Sequence, residues 1–168
     1  MTRSEIVKEL MAQMNNDDIV IASTGFISRE VFKYDRPLNF YMMGSMGNAL
    51  AIGVGLAKSL EDDGIDKRVF VINGDGSALM GLGSLVTAQS LKLDNLHHFI
   101  IDNGMHESTG GQPTASKHFN CEYIHSNTIV FDCEKDDSIP PRITLTCKEI
   151  TERFKDAILR IKEQQKTS

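Results

Sequence analysis

Apolar positions fall into short runs and helical stripes that alternate along the whole chain. Over residues 3–15, Ile6, Leu10 and Met14 lie four apart, which predicts one face of a helix. Asp17 and Asp18 break it. Ile19–Ala22 reads as a short buried strand and Ser23-Thr24-Gly25 as a turn. Ser28 can cap a helix through Tyr34, closed by Pro37. The next apolar run, Phe40–Met43, places both methionines in the core and ends at Gly44-Ser45-Met46-Gly47. A small-residue helix, NALAIGVGLAKSL, follows with Gly53 and Gly55 inside it. A helical glycine costs about 1 kcal/mol against alanine, so the pair predicts close packing against another backbone.

Arg68–Asn73 is the clearest strand and runs straight into Gly74-Asp75-Gly76-Ser77. One helix then carries Leu79, Leu82, Leu85, Val86 and Leu91. Leu96–Ile101 follows, closing on Asp102-Asn103-Gly104; of His97 and His98 at its start, one is expected packed and the other exposed. Both strands are apolar without alternation, the mark of parallel strands covered on two faces. Residues 104–120 read as a polar, glycine-rich loop, a length that points to function. A weak strand at Thr128–Phe131, a solvated acidic run at Glu134–Asp137 and the apolar Ile143–Leu145 come next. Thr146–Ile161 closes the chain as a helix, with Ile150, Phe154, Ile158 and Ile161 on one face. The expected architecture is α/β: an open, mostly parallel sheet with helices on both faces, forming one domain over residues 1–168.

Composition narrows the function. The chain has 168 residues, 40% hydrophobic and 24% charged, as soluble globular proteins do. A net charge of −5 argues against nucleic acid as a partner. No apolar run spans a membrane, and the N-terminal MTRSEIVKEL lacks the apolar core of a signal peptide, so a cytoplasmic chain is expected. Cys121, Cys133 and Cys147 form no CxxC pair and read as free thiols.

Two segments stand where open α/β sheets bind ligands, just past the C-terminal ends of strands: Gly74-Asp75-Gly76-Ser77 and Asp102-Asn103-Gly104. The glycines let backbone approach a ligand, and the helix start near Ser77 offers unpaired N–H groups to a phosphate. Asp75 would repel that phosphate unless a cation lay between them. Mg²⁺ resolves the conflict, because it takes a few protein oxygens together with phosphate oxygens. Asp75 can give one, the Asn103 amide another and the Met105 carbonyl a third. A nucleotide-binding oxidoreductase fits poorly, since the third glycine of GxGxxG would fall on Leu79.

GDGSALMGLGSL, continuing to IIDNG, resembles the cofactor signature of thiamine-diphosphate enzymes. Where that signature has Asn-Asn, this chain has Asp102-Asn103, keeping the metal-binding second position. YMMGSMGNALAIGVGLA resembles the same enzymes' other cofactor contact. The resemblance implies that the Gly44 carbonyl accepts a hydrogen bond from the cofactor's 4′-amino group, with Ser45 beside it. It implies also that Met46 wedges the cofactor into its bent form. STGFISREVF, MMGSMGNA, DNGMHESTGGQPTAS and IPPRITLTCKEITERF resemble, more narrowly, the phosphonopyruvate and sulfopyruvate decarboxylases, over about residues 18–160.

Those enzymes need a glutamate that protonates the cofactor's N1′, carried on a separate pyrimidine-binding domain for which this chain has no room. Glu30 does not match its position. The resemblance therefore implies a pyrimidine-binding partner chain supplying the glutamate, in a hetero-oligomer with at least two copies of each. Thiamine diphosphate and Mg²⁺ are the implied cofactors. Decarboxylation of a small anionic 2-oxo acid to an aldehyde is the implied reaction, with phosphonopyruvate first and sulfopyruvate second. His106 is the candidate catalytic residue, in a loop able to bind the substrate's anionic tail or relay a proton. Acetolactate synthase-like, transketolase-like and non-catalytic cofactor binders remain open alternatives.

Overall fold

The computed structural model describes residues 1–166. In chain order the elements are α1 (Arg3–Gln13), β1 (Ile19–Ala22), α2 (Phe26–Phe32), β2 (Asn39–Tyr41), α3 (Ala49–Asp62), β3 (Val69–Gly74), α4 (Asp75–Met80) and α5 (Leu82–Leu91). Then come β4 (Leu96–Asp102), a small antiparallel hairpin of β5 (Met105–His106) and β6 (Gln112–Pro113), β7 (Thr128–Asp132) and α6 (Cys147–Lys166). The main sheet has five strands in the order β2-β1-β3-β4-β7, and every pairing is parallel.

Alternate residues of the central strands supply two separate cores. Ile19, Ile21, Val69, Val71, Leu96 and Ile100 face one, together with Leu50, Val54 and Leu60 of α3, Leu85 of α5 and Phe154 of α6. Val20, Ala22, Phe70, Ile72 and Ile101 face the other, with Ile6, Val7 and Leu10 of α1 and Val31 of α2. Helices thus cover both faces, as the non-alternating strands predict. A fully buried aliphatic side chain stabilises by about 1.5–3 kcal/mol, so this double burial is the fold's main support.

Several local expectations are corrected. Ser28 is not an N-cap: α2 starts at Phe26, and Ser28 Oγ instead donates to the Gly25 carbonyl at 3.0 Å from inside the helix. Of the two helix glycines, Gly53 meets a side chain rather than a backbone, since a Cβ there would lie 2.3 Å from Val71 Cγ2; Gly55 faces open space. Met42 is buried but Met43 is exposed. Residues 104–120 are not structureless, for they hold the β5–β6 hairpin and two short 3-10 turns, Glu107–Thr109 and Ser116–His118. The run at 134–137 is only partly solvated: Asp136 is buried and pairs with the buried Arg3 at 3.4 Å.

Candidate active site

The chain leaves β1 toward β2 on one side of the sheet and later leaves β3 toward β4 on the other. Segments following adjacent strands therefore diverge, opening a crevice at the C-terminal strand ends. A cavity there is lined by residues that include Thr24, Met46, Asp75, Asn103 and His106. The two segments singled out in the sequence, and the turn after β2, meet at this place.

The turn at residues 44–47 is held in an unusual shape. Gly44, Ser45 and Gly47 have φ of +91°, +51° and +93°. Glycine takes such values freely, whereas Ser45 does so at a cost and persists only because its surroundings hold it. Gly44 N–H donates to Thr24 Oγ1 at 2.9 Å, and Gly47 N–H donates to Ser77 Oγ at 3.2 Å. Gly44, Ser45 and Met46 remain exposed, so the turn presents one side to solvent.

Gly74 is extended and caps α4, which makes Asp75 its first residue. The single helix expected after this segment is broken into α4 and α5 at Gly81. A Cβ on Gly81 would stand 2.2 Å from the Gly47 carbonyl oxygen, so the two backbones meet there. With α4 only six residues long, its dipole is small; its first-turn N–H groups include Gly76, which hydrogen-bonds the Asp75 carboxylate, and Ser77.

Asp75 is buried and accepts a hydrogen bond from Thr114 Oγ1. Burial pushes its carboxyl above the usual range, the Thr114 hydroxyl opposes this, and the neighbouring Asp102 charge raises it further. Asp102 Oδ1 accepts from Gly104 N–H and Ser116 Oγ, both at 2.9 Å, contacts in which an asparagine oxygen would serve equally. Asn103 Oδ1 accepts from Met105 N–H at 3.1 Å and keeps a second lone pair. No cluster of three His, Cys, Asp or Glu side chains suited to a metal exists among the described residues.

Gly76 has no room for a side chain. A Cβ would lie 2.5 Å from His106 Cε1, 2.6 Å from its Nδ1 and 3.2 Å from Met46 Cε. Three residues taken from separate parts of the sequence thus converge, with the glycine as the gap between them.

Beneath the site runs a buried polar chain that sequence reasoning missed. Asn73 Oδ1 accepts from Ser77 Oγ at 3.4 Å, so Asn73 Nδ2 turns to His98 Nε2, 2.9 Å away. His98 Nδ1 then donates to Thr128 Oγ1 at 3.2 Å, and His125 Nδ1 lies 3.0 Å from the same oxygen. His97, expected exposed if His98 is packed, is half-buried and stacks on Phe70.

Burial holds the His98 imidazole down at about 3, with His125 adding to the effect. The folded state therefore keeps it neutral, while the unfolded chain takes up a proton below about pH 6.5. Stability from this group is complete above that pH and is lost as pH falls from about 6.5 toward 3. The slope is up to about 1.4 kcal/mol per pH unit. Urea unfolding from pH 7 to 5 is expected to give a shallower loss for His98→Gln than for the parent chain; equal slopes would rule His98 out as the source.

Residues 21–160 match the family described as thiamine pyrophosphate enzyme, C-terminal TPP binding domain. The chain belongs to this family. As a member of this TPP-binding family, it takes thiamine diphosphate as cofactor. The chain is 43% identical over 116 residues to phosphonopyruvate decarboxylase of Streptomyces viridochromogenes, covering 68% of this chain and 28% of that protein. It is 36% identical over 157 residues to sulfopyruvate decarboxylase subunit beta of Methanocaldococcus jannaschii, covering 93% of this chain and 77% of that subunit. In fold it resembles the thiamine diphosphate-dependent 4-hydroxybenzoylformate decarboxylase of Rhodococcus jostii, with a TM-score of 0.55, 18% identity, and coverage of 95% of this chain and 30% of that one. The TPP-binding chain thus spans little more than a quarter of the Streptomyces enzyme. Among the described residues, no helix is long and apolar enough to cross a membrane.

Proposed function

We propose that this chain is the diphosphate- and Mg²⁺-binding subunit of a two-chain, thiamine diphosphate-dependent 2-oxo acid decarboxylase. The reaction is phosphonopyruvate to phosphonoacetaldehyde and CO₂. The whole chain acts as one diphosphate-binding domain, and a separate pyrimidine-binding chain completes the site. The observation that carries the reading is Asp75, a buried carboxylate whose ionisation is opposed by burial and by Asp102, at a strand end with phosphate-ready N–H groups. Such a group calls for a cation. Asp75, Asn103 and the Met105 carbonyl would hold Mg²⁺, and the backbone of Gly74, Gly76 and Ser77 would hold the diphosphate.

Bound thiamine diphosphate supplies the electron sink that lets a 2-oxo acid lose CO₂. The chain's own residues bind and orient. Gly44 and Ser45, both exposed, would offer backbone to the cofactor, and Met46, beside Gly76, would pack against it. His106, whose Nδ1 edge faces Gly76, is placed to hold or move a proton at the reacting end. Glu30 does not serve as the cofactor-activating glutamate: it is buried, 3.5 Å from Arg3 Nη2 and 2.5 Å from Lys33 Nζ. On this reading the glutamate comes from the partner chain, in a hetero-oligomer with at least two copies of each.

Sulfopyruvate is the second reading, favoured by the match to a subunit beta that covers 93% of this chain and 77% of that subunit. Calorimetric titration of thiamine diphosphate into the chain with a pyrimidine-binding chain from the same genome tests the site. Binding is expected with Mg²⁺ and lost in chelator. Equal binding in both would sink the metal assignment.

A further inference from the structure

Arg3 stands in α1, before the residues that match the family, yet it reaches the candidate site. Its side chain is 2% exposed and joins four segments. Nη1 pairs with Glu107, directly after His106. Nη2 donates to the Ser138 carbonyl at 2.8 Å and lies 3.5 Å from Glu30 and 3.4 Å from Asp136. Its Cζ sits 4.9 Å over the ring of Phe26, a residue that lines the cavity. Glu107 in turn accepts from Asp136 N–H at 3.3 Å, and Asp136 accepts from Ser4 N–H at 3.1 Å.

The arrangement is made by local sequence. Thr2 and Glu5 form a capping box, which starts α1 at Arg3. A flat guanidinium then holds five donors in a fixed fork, a geometry that a lysine's compact ammonium does not reproduce. Arg3 Nε has no hydrogen-bond partner among the described residues. Buried ion clusters are a poor source of stability, and an idle buried donor makes this one poorer. Holding a geometry is the use that fits.

We infer that Arg3 is a positioning residue for the decarboxylase reading above, on which this rests: it locks Glu107 and so keeps the His106 ring against Gly76. The N-terminal helix is thereby a working part of the site. The His106 carbonyl accepts from Gly111 N–H at 3.0 Å, so the state of this loop is readable at the Gly111 and Asp136 amides.

The test uses Arg3→Lys, which keeps the charge, and Arg3→Met, in the full chain. Hydrogen exchange is expected to quicken at Gly111 and Asp136 while β1 and β3 stay protected. In the complex with the partner chain, kcat is expected to fall about 10–100-fold with the KM for thiamine diphosphate unchanged. Unchanged exchange in the loop, or quickening spread evenly over the sheet, would overturn the inference. So would full turnover by Arg3→Lys. If the parent complex itself releases no CO₂, the decarboxylase reading fails, and the exchange data alone decide whether Arg3 locks the loop.

Discussion

Asp75→Asn is expected to abolish Mg²⁺-dependent cofactor binding while leaving the fold intact. The two halves of this expectation have one cause. The Asp75 carboxylate is buried, lies near the Asp102 charge and, among the described residues, has the Thr114 hydroxyl as its one side-chain hydrogen-bond partner. Its folded-state ionisation is disfavoured, so the group costs stability above the usual carboxylate range, and the cost shrinks as pH falls through its raised value. An asparagine keeps the Thr114 contact and removes the charge. The metal-free chain is then as stable as the parent or more so. With Mg²⁺ present the balance is expected to reverse, because the lost anion is the oxygen we assign to the metal. A metal contribution of several kcal/mol corresponds to about 10²–10³-fold in Kd. Calorimetry for the cofactor and thermal unfolding of the metal-free chain read the two halves separately. Retained Mg²⁺-dependent affinity, or a chain that no longer folds, would contradict this role for Asp75.

Gly81→Ala is expected to damage the same site from a distance. The new Cβ would stand 2.2 Å from the Gly47 carbonyl oxygen, and its three nearest atoms all belong to the Gly47 backbone rather than to a flexible side-chain tip. One of the two backbones must shift, which costs about 1–3 kcal/mol in a packed setting. For a chain of this size that is a fall in Tm of roughly 2–4 °C per kcal/mol. The turn most easily moved is Gly44–Gly47, already strained at Ser45, so cofactor affinity is expected to fall as well. Gly55→Ala is the matched control, since a Cβ there meets nothing within 4 Å among the described residues beyond its own stretch of helix. In the middle of α3 it is expected to stabilise by about 0.5–1 kcal/mol. Similar Tm values for the two variants would remove the steric argument.

These cases show which parts of the molecule are legible in sequence. Gly74–Ser77 and Asp102–Gly104 can be read because each follows an apolar run directly, so strand end and ligand-type chemistry share one stretch. The break at Gly81 cannot be read, because Leu79, Leu82 and Leu85 keep helical spacing across it. Gly81 leaves helical dihedrals (φ −105°, ψ 23°) at the point where it lies against the distant Gly47 backbone. His98 looks like its neighbour His97 in sequence, and only the pairing of β4 with β3 and β7 turns it toward Asn73 and Thr128. The acidic run at 134–137 reads as solvated because nothing local reveals that Arg3 will meet Asp136. Local pattern reports strands, helices and turns; contacts between distant segments leave no periodic trace.

The most direct test of the central claim is CO₂ release from phosphonopyruvate and sulfopyruvate, with thiamine diphosphate and Mg²⁺, by this chain, by a pyrimidine-binding chain from the same genome, and by both together. The account predicts turnover only in the mixture, with one of the two substrates clearly preferred. Release by this chain alone would contradict the need for a partner glutamate, and a mixture that binds the cofactor but decarboxylates neither acid would contradict the assigned reaction.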